Sequence, residues 1–185
     1  HTLFFMDTGD KREYTLKNKD GEYKQTGYDN LKYSQIKWYS DTLAKLAEQN
    51  GGKCPYSTVI MHIPPIQFKY AWDEWKEGGC SPDIGFGFNN EVCCTPLEDN
   101  GFFDVVKSIG STKNIISGHD HINCASILYE GVRLTYALKT GDRCYWKDHI
   151  NGGTVLTIDS EGKTQVRHEF VVIGEQKPSL ISRLI

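Results

Sequence analysis

Residues 113–121 read Lys-Asn-Ile-Ile-Ser-Gly-His-Asp-His (KNIISGHDH): an apolar core, a glycine, then two histidines flanking an aspartate. So short an apolar run, bounded by glycine, fits a buried strand better than a helix. Gly118 ends the strand, and His119 and His121 follow at its carboxyl end. Earlier in the chain YSTVIMHI (56–63) repeats the arrangement. There a β-branched run reaches His62 and stops at Pro64-Pro65, because proline has no amide hydrogen for the ladder. Open α/β sheets place ligand sites at such strand ends. Were the two strands parallel neighbours, His62, His119 and His121 would converge on one rim.

Working outward, TLFFMD (2–7) reads as a short buried strand closed by Gly9-Asp10. Residues 11–30 are polar, with KNKDGE as a turn, and read as a surface excursion. Ser34 is a good N-cap for a helix running to about Gln49. Ile36, Tyr39, Leu43, Leu46 and Ala47 give that helix one apolar stripe, and Gly51-Gly52 end it. Residues 66–98 hold aromatics and glycines without sustained periodicity, and read as an ordered lid or rim. Asn100-Gly101 opens a short helix, FFDVVKSI, before the strand at 113–117. Strands are expected near 125–129, 132–138, 154–159 and 164–172, with hairpin turns at Gly131 and Glu161-Gly162. Two strand-helix alternations followed by antiparallel hairpins predict an α/β protein: a mixed β-sheet with flanking helices.

The chain has 185 residues, 38% hydrophobic and 24% charged, with a net charge of −3. That suits one soluble globular domain and lacks the clustered basic excess of a nucleic-acid binder. No apolar run approaches the roughly 20 residues of a membrane span. HTLFFMD lacks a basic start and a cleavage-type site, and it opens inside a strand-like run, so His1 need not be the biological start. Six cysteines permit disulfides and lean towards a secreted or lumenal compartment. No C-x-x-C pair occurs. Adjacent Cys93 and Cys94, with Cys80 upstream, look more like a loop staple than a metal site.

Neutral imidazole is a good ligand for zinc, iron and manganese-like ions, so three converging histidines carry the chemistry of a transition-metal site. The bland reading is a satisfied strand-end His62 and a polar GHDH turn. Asp120, between the ligand candidates, is either a brace for them or a solvated turn residue. His149 and His168 read as an ordinary surface residue and an ordinary strand residue, and Asn100 as a helix cap. The tryptophans have core or rim explanations.

Gly118-His119-Asp120-His121 resembles the G-H-x-H signature of calcineurin-like metallophosphoesterases, and VIMHIPP resembles that family's strand-end histidine followed by proline. LFFMDTGD, GYDNLKYSQIKWYSDTL, GFNNEVCCTP, NGFFDVV, SGHDHIN and LTYALKTGDRCYW fall in the order seen in purple-acid-phosphatase-like members. The resemblance spans nearly the whole chain. It implies an αββα sandwich and a phosphatase holding two metal ions (iron, zinc or manganese) about 3.5–4 Å apart. It places His62 and His119 on one metal and His121 on the other, with metal-bound hydroxide attacking a phosphate ester. The family's D-x-H, G-D-x-x-D and G-N-H-[DE] motifs do not occur here. The resemblance therefore implies that residues 1–185 are the C-terminal portion of the domain, with the N-terminal segment absent and the fragment alone inactive.

Two other classes compete. A non-catalytic binding module that keeps the fold would use the aromatic loop 66–98 as a partner surface. DTG at Asp7-Thr8-Gly9 is the aspartic-protease triplet, but that chemistry needs two carboxylates and the chain has one such triplet.

Overall fold

The runs around Val59 and Ile115 form two adjacent central strands. The computed structural model describes residues 1–171. Strand β1 (Thr2–Met6) leads through a hairpin of β2 (Lys11–Asn18) and β3 (Gly21–Tyr28) into helix α1 (Tyr33–Gln49). There follow β4 (Ser57–Met61), helix α2 (Gln67–Glu77), the short β5 (Gly85–Phe86), helix α3 (Phe102–Ile109) and β6 (Thr112–Ser117). Strands β7 (Ser126–Tyr129), β8 (Val132–Tyr136), β9 (Gly152–Ile158) and β10 (Thr164–Phe170) come last. Residue 172 of the last expected strand lies outside the described residues.

Six strands form one sheet in the order β1-β4-β6-β8-β7-β5. Pairing is parallel from β1 through β8, and β7 and β5 join antiparallel. The fold is thus the mixed α/β sheet that the alternation of patterns predicts. Alternate residues serve one face: Phe4, Met6, Val59, Met61, Ile115, Leu134 and Tyr136 pack beneath the three helices. Helix α1 contributes Ile36, Tyr39 and Leu43, the stripe its spacing predicts. Tyr39 is fully buried, and its hydroxyl bonds Thr112 Oγ1 at 2.6 Å. Burial pushes its pKa up to about 12.

Three local readings change. The cap of helix α1 lies two residues before Ser34: Lys32 is the cap residue, and its N–H donates to Gln35 Oε1 at 2.7 Å. Residues 11–30 are a regular antiparallel hairpin, paired from Lys11↔Tyr28 to Asn18↔Gly21. Residues 66–98 contain α2, whose buried Phe68, Ala71 and Trp75 do follow helical spacing. Exposed Tyr70 on the solvent side blurred that stripe. No Ser, Thr, Asp or Asn stands at the start of α2; Ile66 is the cap residue and makes no side-chain cap bond. All six cysteines are unbonded, so no loop staple forms.

On the opposite face of the sheet lies the β9–β10 hairpin, tied down by polar contacts. Asn114 Nδ2 donates to Thr164 Oγ1 at 2.7 Å. Leu138 N–H donates to Thr154 Oγ1 at 2.9 Å, and Thr154 Oγ1 bonds His168 Nδ1 at 3.0 Å. His168 Nε2 donates to the Cys124 carbonyl at 2.8 Å. With Nε2 the donor, the neutral imidazole accepts at Nδ1 from the Thr154 hydroxyl. The histidine read as an ordinary strand residue joins hairpin to sheet.

Burial holds the His168 pKa below the ordinary 6.5, with the Cys124 bond a smaller opposing effect. As pH falls the unfolded chain takes up this proton first. The residue's contribution to stability is present above about pH 6.5 and declines as pH falls towards the depressed folded value. His168→Gln is expected to flatten part of the fall in unfolding free energy between about pH 7 and 5. Denaturant titrations across that range measure it, and parallel slopes in the two proteins would refute it.

Candidate functional site

The register Met61↔Ser117 between β4 and β6 sets the next residues, His62 and Gly118, side by side on the carboxyl rim. Thr8, buried after β1, braces this end of the sheet by accepting the Ile63 N–H at 3.0 Å. Gln35 Nε2 donates to the Asp7 carbonyl at 2.6 Å and holds α1 to the same rim. The DTG triplet therefore serves the turn, with Asp7 Oδ1 accepting the Gly9 N–H at 2.8 Å.

The sharp turn of GHDH falls on His119 rather than on Gly118. His119 has φ +72°, and the Asp120 N–H reaches back to the Gly118 carbonyl at 2.9 Å. That is the geometry of a γ-turn with positive φ at its centre, a rare and strained conformation for a residue with a side chain. The turn throws the His119 ring against His62, centroids 5.0 Å apart, and against Tyr28 at 4.3 Å, both edge-on. His119 Nδ1 stands 3.3 Å from His62 Nε2. Two zinc–nitrogen bonds of about 2.0–2.1 Å at a tetrahedral angle put their nitrogens about 3.3–3.4 Å apart, so the pair suits one cation. Burial lowers the His119 pKa, which favours the neutral, ligating form.

His121 does not join this pair. Its ring stacks on Tyr145, centroids 4.3 Å apart and planes 21° from parallel, and its Nδ1 lies 3.0 Å from the Tyr145 carbonyl. A carbonyl only accepts, so Nδ1 carries the hydrogen, which in the neutral imidazole leaves the lone pair on Nε2. No group of three or more His, Cys, Asp or Glu side chains is arranged to hold a metal ion among the described residues. The three histidines still share one open cavity of about 220 Å³, with Asp120 and residues 137–141 as further lining.

Asp120 is buried, not solvated. Its Oδ2 accepts the Cys94 N–H at 3.1 Å and Asn123 Nδ2 at 3.2 Å. Asn123 in turn accepts the Asn90 and Glu91 amides at 3.0 Å each through Oδ1, while Glu91 Oε1 accepts the Ile122 N–H at 3.0 Å. The histidine turn and residues 89–94 are thus cross-braced. Burial, then the Asp120 charge, pushes the Cys94 thiol up to about 12, so it stays protonated beside the carboxylate. Ser117 Oγ, His119 Nε2, Asp120 Oδ1 and Tyr136 OH are buried here without hydrogen-bond partners. Such a group of polar atoms suits ordered water behind the histidines.

Sequence reasoning missed Tyr28, Asn123 and Tyr145 as neighbours of the histidines. Asn123, two residues after His121, was the one with a usable signal: a polar residue opening a buried run, Cys124 to Ile127.

Comparison with known proteins gives three relatives from Arabidopsis thaliana. Probable inactive purple acid phosphatase 14 is 31% identical over 152 residues, 77% of this chain and 33% of that protein. Probable inactive purple acid phosphatase 28 is 30% identical over 143 residues, 77% of this chain and 32% of that protein. Probable inactive purple acid phosphatase 29 is 27% identical over 151 residues, 78% and 35% of the two chains. No protein-family model and no solved structure matches.

Asp120→Ala would orphan the Cys94 amide and the Asn123 side chain, at a cost of about 1–3 kcal/mol. Hydrogen exchange is expected to speed at Cys94 and His121 ahead of the β4 and β6 amides. Unchanged protection at Cys94 would show that the carboxylate does not hold the turn.

Proposed function

The chain is a purple-acid-phosphatase-like relative of the metallophosphoesterases that spans about a third of the length of its curated counterparts, and from this we propose that it supplies one side of a binuclear metal site for hydrolysis of a phosphate ester, monoester before diester. The observation that carries the reading is the approach of His62 Nε2 and His119 Nδ1 to 3.3 Å at the ends of neighbouring parallel strands. In this reading those nitrogens hold one cation and His121 Nε2 faces the second. Metal ions in such a site supply activated water near neutral pH and neutralise phosphoryl charge.

The residues of this chain have definite tasks. His62 and His119 present imidazole nitrogens from fixed strand ends. Asp120 locks the strained turn from beneath, and the cavity beside residues 137–141 gives the ester room. The remaining ligands, carboxylates above all, are assigned to a segment of the same domain preceding these residues. The exposed side of β1 supports that assignment. Leu3 is 43% and Phe5 71% exposed on an edge strand, whereas parallel sheets are ordinarily covered on both faces.

A second reading is a non-catalytic module that retains the fold. It is favoured by the names of the three relatives, each a probable inactive purple acid phosphatase.

The test uses the polypeptide carrying this chain together with its upstream segment, an aryl phosphate monoester, and added zinc, iron or manganese. Metal-dependent hydrolysis is expected, with kcat/KM reduced at least about 100-fold in His119→Ala. Hydrolysis indifferent to both chelator and His119→Ala would overturn the assignment. Absence of hydrolysis with metals supplied would establish the non-catalytic module instead.

A further inference from the structure

His121 owes its orientation to residues that no metal-ligand pattern contains. Tyr145, in the connection between β8 and β9, makes three contacts with it: the stacked ring, the carbonyl at 3.0 Å from Nδ1, and the hydroxyl at 3.4 Å from the His121 amide. That hydroxyl donates to Glu91, 3.2 Å from Oε1 and 3.0 Å from Oε2. Glu91 also holds the Ile122 amide, so one carboxylate ties down both the histidine's backbone and the tyrosine stacked on its ring. A second strap runs parallel, from Lys147 Nζ to Asn90 Oδ1 at 3.2 Å. Segments far apart in sequence, 89–91 and 145–147, thus clasp the histidine between them.

We propose that Glu91 and Tyr145 are positioning residues for His121: together they fix its Nδ1–H tautomer and aim Nε2 into the cavity as a ligand. The inference rests on the metal-site reading above for its functional meaning, but the tautomer and ring orientation stand on the clasp alone. A histidine free to rotate would present either nitrogen. Here a main-chain carbonyl takes the Nδ1 hydrogen, the stacked phenol blocks one ring face, and Glu91 prevents the tyrosine from swinging away. Backbone carbonyls commonly serve a metal-binding histidine in this way, and loss of such support typically weakens metal affinity 10–100-fold. Glu91 spends its charge on the clasp and on Ile122, so it acts through His121 rather than as a ligand.

The experiment uses the protein carrying this chain and its upstream segment. Side-chain nitrogen NMR of the metal-free protein reads the His121 tautomer, and titration with zinc alone reads affinity at each site. The unmodified protein is expected to show His121 as the Nδ1–H form. Tyr145→Ala and Glu91→Gln are expected to give mixed tautomers and weaken one zinc site 10–100-fold, leaving the other within about threefold. Both variants keep the main-chain carbonyl; Tyr145→Phe, which also keeps the stacked ring, is expected to lose less than Tyr145→Ala. A His121 tautomer and both zinc affinities unmoved in Tyr145→Ala and in Glu91→Gln would overturn the proposal. His121→Ala separates the two claims. If it leaves zinc binding intact, the metal-site reading fails, while the tautomer shifts still decide the clasp.

Discussion

Parallel pairing of β4 with β6, in the register that sets Met61 opposite Ser117, determines where the chemistry can be. The residue after each strand leaves the sheet at one level, and both sequences put histidine within two positions of that exit. The register is fixed from the other side by packing. Val59 and Ile115 are fully buried beneath the helices, and a slip of one residue would turn them to the opposite face. The core therefore specifies, through the period of the strands, that His62 and the turn carrying His119 leave the sheet side by side.

What the register cannot supply is the last bend. His119 sits at positive φ, a conformation that costs a non-glycine residue roughly 1–3 kcal/mol. Two hydrogen bonds to the buried Asp120 carboxylate, each worth roughly 1.5–3 kcal/mol where an ionised group is involved, are enough to hold it. The strain is tolerable because the same carboxylate fastens residues 89–94 over the turn. It follows that the aspartate between the histidines matters more to the shape of the site than its exposure in a polar sequence would suggest.

Much of this was legible in the sequence, and the failures have physical causes. Strand-end histidines, the stripe of α1 and the terminal hairpins are all written in local periodicity. Helix α2 was obscured because its aromatic residues lie on both sides, and because Pro65 and Ile66 replace the usual cap signals. Gly118 ends the strand as its sequence suggests, whereas the bend itself falls on His119, held by the Asp120 anchor, which no local pattern announces. All three histidines line one cavity, but His121 stands apart from the His62–His119 pair within it. Tyr145, more than twenty positions downstream, draws His121 aside, and no period in the sequence encodes a stacking partner at that distance.

Separation of His121 from the other two bears on how charge is managed. Two divalent cations about 4 Å apart repel by roughly 16 kcal/mol at an effective dielectric near 20, four times the value for unit charges. Neutral imidazoles donate electron pairs but cancel none of that. Among the described residues the carboxylates nearest the histidines are committed elsewhere: Asp120 is buried in the turn, and Glu91 holds Tyr145 and Ile122. A second cation can be held here only if carboxylates enter from beyond these residues, and the uncovered β1 face is where further polypeptide could pack. Without them the His62–His119 pair suits at most one weakly held ion. The catalytic and non-catalytic readings thus differ in a single physical quantity, the negative charge delivered to this rim.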